Sequence, residues 1–127
     1  MGIFKYPQYA DDWGFLNHRC LPTNVDGLTY HLVERKARFL LLEVKRNSED
    51  MSTGQRIMLS ALARIPQFTV ILLHSRLAVS DDKNGRAVIP NYYHKMGTDG
   101  ELGSIVMTTP EDFRGRYVGW FLGKDTF

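Results

Sequence analysis

With 127 residues, 43% of them hydrophobic and 24% charged, the chain has the makeup of one globular domain over 1–127, large enough to fold around its own core. A formal net charge of +2 permits a nucleic-acid partner without arguing for one, since strong electrostatic binders carry a larger basic excess. The single cysteine, Cys20, excludes an intrachain disulfide and a cysteine-built zinc site, and it fits a reducing compartment.

The N-terminal stretch MGIFKYPQYADDW lacks the apolar core and small-residue cleavage site of a signal peptide, and Tyr6 stands where a myristoylation motif needs Ser or Thr. No run approaches the ~18–20 apolar residues of a membrane span. The expectation is a cytoplasmic protein with no membrane partner, in the host cytoplasm if it is phage-encoded. Aromatics and turn formers fill residues 1–22, with a short helix expected over 9–16. VDGLTYHLV predicts a strand over 25–33, in which Leu28, Tyr30 and Leu32 alternate with Thr29 and His31. ERKAR is a charged turn. FLLLEVK, 39–45, reads as a central strand buried on both faces.

The polar loop RNSEDMSTGQ follows, and Ser52 or Thr53 can cap a helix over 54–64 that carries Met58, Leu59 and Leu62 at helical spacing. Pro66 ends it, and FTVILLH, 68–74, is a second buried strand. Strand, helix and strand with short links predict a parallel crossover in an α/β sheet. Beyond Ser75 the text predicts a β-ribbon or extended loop decorating the core, with turns at Asn84–Gly85 and near Asp99–Gly100. A last short strand is expected over 105–108. TPED then opens a helix, with Thr109 as cap, Pro110 in the first position and Asp112 completing a capping box. Phe113, Tyr117 and Trp120 share one side of it, as a core-packing stripe would.

One pair breaks the apolar pattern of 39–45. Side chains two apart on a strand share a face, so Glu43 and Lys45 stand together at the C-terminal end of a buried strand, where open α/β sheets place ligands. A hairpin turning between Val33 and Lys36 would set Asp26 opposite Glu43, bringing two carboxylates and a lysine to one end of the sheet. Mg²⁺ takes oxygen ligands and is typically held by one or two carboxylates with substrate phosphate. Such an ion polarises a phosphodiester and neutralises the leaving oxygen, while a neighbouring lysine orients the attacking water or stabilises the transition state. The histidines His18, His31, His74 and His94 lack the spacing of a helical zinc pair and read as surface or packing residues.

Asp26, then Glu43-Val44-Lys45, then a helix opened by Ser52-Thr53-Gly54-Gln55, resembles the PD-(D/E)XK nuclease superfamily, and in particular small restriction-endonuclease-like proteins of bacteriophages. The resemblance covers about residues 21–73. It implies a restriction-endonuclease-like fold, an αβββαβ core with a mixed sheet flanked by helices. It implies Mg²⁺ or Mn²⁺ held by Asp26, Glu43 and the carbonyl of Val44. Lys45 would be the catalytic lysine, and Gln55 would contact the site or the nucleic-acid backbone. The activity implied is metal-dependent hydrolysis of DNA, with a homodimer needed to cut both strands in one encounter. Val25 replaces the proline that often precedes the aspartate. The acidic residue often supplied by the first helix has no clear match, Asp11 and Asp12 being candidates, and residues 75–103 match nothing in the pattern. Three alternatives stand beside this reading. One is a nuclease-like scaffold that binds nucleic acid or a protein partner without turnover. Another is a subunit of a larger nuclease or helicase assembly. The last is an ion pair between Glu43 and Lys45 with no chemical role, Asp26 serving only a bend.

Overall fold

The computed structural model describes residues 26–46, 50–76 and 88–127. It opens on a hairpin of β1 (Gly27–Val33) and β2 (Lys36–Arg46). The turn residues between them, Glu34 and Arg35, both take positive φ, 52° and 67°. Two consecutive left-handed residues match the twist of the flanking strands, so the turn geometry is favourable although neither residue is glycine. Pairing runs from Val33↔Lys36 to Gly27↔Leu42, and its continuation sets Asp26 opposite Glu43, the register expected from the sequence.

α1 (Thr53–Ala63) carries the chain over to β3 (Phe68–Ser75), which lies parallel to β2 with Phe39 beside Phe68 and Lys45 beside His74. A parallel neighbour requires such a crossover. β4 (Pro90–Lys95) and β5 (Val106–Met107) extend the sheet antiparallel, and α2 (Pro110–Phe121) closes the described fold. The sheet is therefore mixed, its five described strands lying in chain order. This is an α/β architecture with a helix on each face. The expected helix over 9–16 and the Asn84–Gly85 turn fall outside the described residues, and among the described residues two strands, not the three of an αβββαβ core, precede α1.

The two faces of β2 and β3 enter different cores. Leu41 and Val70 pack with Leu59, Ala63 and Met96 beneath α1, while Leu40, Ile71 and Leu73 pack with Tyr93, Phe113 and Trp120 beneath α2. β2 is thus apolar on both sides, as its run of Leu predicts. The aromatic stripe of α2 is core, with Phe113 and Trp120 buried and Tyr117 packed against them.

Two expectations need correction, and β1 presents its apolar set to an unexpected side. The segment after Ser75 does not merely decorate the core: β4 is a full partner of β3, and Tyr93 is completely buried. On β1 it is the apolar set Leu28, Tyr30 and Leu32 that is exposed, at 54%, 68% and 60%. The reason lies in the layering. α1 covers β2 and β3, whereas α2 reaches across to the other face of β1, where the Tyr117 hydroxyl bonds Thr29 and Phe121 stacks on His31 at 3.8 Å. Finally, Thr109 caps α2 by accepting from the Asp112 N–H, but the Asp112 carboxylate accepts from Thr108 and Arg116 instead of closing a box.

Candidate metal and phosphate site

Asp26 immediately precedes β1, beyond the last β1–β2 pair of Gly27 with Leu42, and its carboxylate accepts the Val44 N–H at 2.7 Å. This bond holds the carboxylate beside Glu43. The N–H and C=O of one strand residue point to the same neighbour, so the Val44 carbonyl faces the Asp26 side as well.

Glu43 is 4% exposed. Its Oε1 accepts from Gln55 Nε2 at 2.9 Å, while its Oε2 is buried with no hydrogen-bond partner. Burial raises the Glu43 pKa most, and repulsion from the Asp26 carboxylate adds to it. Attraction to Lys45 opposes them, the hydrogen bond that only the protonated acid can give Asp26 raises the value further, and the Gln55 donor lowers it. The outcome is a rise from 4.5 to about 7. Lys45 lies 3.9 Å from Glu43 Oε1, too far for a tight hydrogen-bonded pair, and its side chain is 15% exposed. The ammonium is therefore near the carboxylate without being consumed by it.

Gln55 is the third position of α1, and its amide serves two neighbours. Its oxygen accepts the Ser52 N–H at 3.2 Å in a complete capping box, and its nitrogen donates to Glu43. This division explains glutamine at this position: a glutamate would close the same box but set a third carboxylate against Glu43. Ser52 is the cap among the two candidates, and the helix spans Thr53–Ala63 against the expected 54–64.

The structure thus brings Asp26, Glu43, Val44, Lys45 and Gln55 together at one end of the sheet. The donor set suits a hard divalent cation. It offers two carboxylates and a backbone carbonyl, and one of the carboxylate oxygens is buried without a donor. Among the described residues no group of three or more His, Cys, Asp or Glu converges. Asp11, Asp12 and His18 lie outside the described residues. No helix among the described residues is long and apolar enough to cross a membrane.

A cluster beside the site was not legible as such. His74, Tyr92 and His94 come together on β3 and β4, on the face that carries Glu43 and Lys45. The signal was present in the period-two spacing of Tyr92 and His94, but Pro90 and the glycines beyond it hid the strand. Comparison with protein-family models, curated proteins and solved structures finds no match to this chain.

Proposed function

We propose that this chain is a divalent-metal-dependent nuclease with a restriction-endonuclease-like core, hydrolysing phosphodiester bonds in DNA. The observation that carries this reading is the buried Glu43 carboxylate, whose Oε2 lacks a donor although a second carboxylate and a lysine stand beside it. A fold gains little from burying such a group for packing, because uncompensated buried charge is destabilising. A cation offsets that cost.

Asp26 and Glu43, with the Val44 carbonyl, would hold Mg²⁺ or Mn²⁺. The ion would supply polarisation of the phosphodiester and neutralise charge on the leaving oxygen. Lys45 would stabilise the negative charge on the non-bridging phosphoryl oxygens as water attacks, and its loose contact with Glu43 leaves it available for that role. Gln55 is a positioning residue in this scheme, holding Glu43 from the helix start. Cutting both strands of a duplex in one encounter would require a second copy of the chain.

The test is cleavage of labelled single-stranded, duplex and branched DNA in Mg²⁺, Mn²⁺ or EDTA. Cutting that needs the metal and stops with EDTA is expected. Binding without cutting in any metal would replace this reading with that of a nuclease-like binding protein.

A further inference from the structure

Cross-strand ring stacking occurs at both ends of the sheet, with different chemistry. At one end Phe39 stacks on Phe68, centroids 4.8 Å apart, and Phe68 packs against the apolar core beneath α1. At the end that holds Glu43 and Lys45 the rings are His74, Tyr92 and His94. His74 stacks on Tyr92 at 4.3 Å with planes 13° apart, and His94 meets both edge-on at 5.8 and 6.1 Å. Each histidine is held by its Nδ1–H, which donates to a backbone carbonyl: Arg46 at 2.9 Å for His74 and Gly103 at 2.8 Å for His94. His74 is buried, whereas Tyr92 and His94 are only half-buried. A slip in the β3–β4 register between His74 and Ser75 bends the sheet at this point.

Register sets these rings in line with the candidate metal ligands. Lys45, His74 and Tyr92 form one row across β2, β3 and β4, and Glu43, Leu72 and His94 form the next. With strands about 5 Å apart, Tyr92 and His94 stand two strands, ~10 Å, from Lys45 and Glu43. A nucleotide adjacent to the held phosphate can set its base at that distance on the same face. Packing alone does not account for the residue choice, because the opposite end achieves the same stacking with phenylalanines and no oriented polar atoms.

We propose that Tyr92 and His94, with His74 stacked beside Tyr92, form a stacking site for an unpaired base next to the scissile phosphate. The substrate is then a single strand or a single-stranded flap. A base inside an uninterrupted duplex has both faces covered and reaches a protein ring only by leaving its stack. This inference rests on the nuclease reading and adds the class of substrate to it.

Two measurements on the full chain separate the claims. The first is anisotropy of a short labelled single strand, and of the matching duplex, in EDTA. The second is steady-state cleavage in Mg²⁺. Wild type should bind the single strand more tightly than the duplex. Tyr92→Leu, which keeps bulk but removes the ring, should weaken single-strand binding about tenfold or more. KM should rise in parallel while kcat changes by less than about twofold, and Tyr92→Phe should restore the affinity. Should Tyr92→Leu fail to fold, His94→Ala carries the same test, with a loss of roughly threefold or more expected. A folded Tyr92→Leu with wild-type affinity and KM would overturn the stacking site and leave the nuclease reading intact. A wild type that prefers duplex would overturn it too. If wild type cuts nothing yet binds single strands through Tyr92, the nuclease reading fails and the stacking site stands.

Discussion

Replacing Glu43 by glutamine should make the metal-free protein more stable at pH 8. In the folded state Glu43 titrates near pH 7 instead of 4.5, chiefly because it is buried and next because it faces Asp26. The folded chain therefore binds more protons than the unfolded chain between those values, and stability falls as pH rises through that window. At about 1.4 kcal/mol per pH unit, the stability lost by pH 8 is about 3 kcal/mol. Glu43→Gln removes the charge and keeps the shape. The amide oxygen still accepts from Gln55, and the amide nitrogen provides a donor for the Asp26 carboxylate. The variant should exceed wild type by about 3 kcal/mol at pH 8, roughly 10 °C in Tm for a chain of this size. At pH 5 the gap should shrink to below about 1 kcal/mol, because the folded wild-type carboxyl is then already protonated. Urea denaturation followed by circular dichroism, in EDTA at both pH values, measures the difference. A variant equal to or less stable than wild type at pH 8 would refute the reasoning, as would a gap that does not depend on pH.

Other perturbations follow from the same geometry. Glu34→Asn with Arg35→Gly should stabilise the protein by about 1–2 kcal/mol, since both turn positions hold positive φ and the new residues adopt it at lower cost; urea midpoints would show it. Gln55→Ala loses half the capping box and the donor to Glu43 together, and should cost about 1–2 kcal/mol in the same assay. On the proposed nuclease reading, Lys45→Ala should lower kcat far more than it weakens DNA binding, because its charge would act mainly in the transition state; single-turnover rates beside equilibrium binding separate the two.

Much of the site was legible because it depends on local rules. The turn at Glu34 and Arg35 sets the hairpin register, and the register alone sets Asp26 opposite Glu43. Period-two alternation puts Glu43 and Lys45 on one face, and the Ser52–Gln55 spacing marks the start of α1. What was hidden depends on tertiary layering. No local pattern indicates that Leu28, Tyr30 and Leu32 would be the exposed set of β1, because that is decided by where α1 and α2 lie across the sheet. Nor does the strand Pro90–Lys95 stand out. It begins at a proline and leads into a loop whose Gly100 takes φ 82°, so turn signals surround it, and only pairing with β3 makes it a strand. The ring cluster of His74, Tyr92 and His94 stayed out of view for the same reason.

The central claim is that Glu43 is buried as a carboxylate at a cost in stability because the chemistry needs it. Cleavage of single-stranded DNA in Mg²⁺ by wild type and Glu43→Gln, both shown to be folded, tests this most directly. The glutamine variant should be the more stable of the two at pH 8 and should cut at least about a thousandfold more slowly. A glutamine variant that cuts as fast as wild type would contradict it, and Glu43 would then be a buried acid without a part in the reaction.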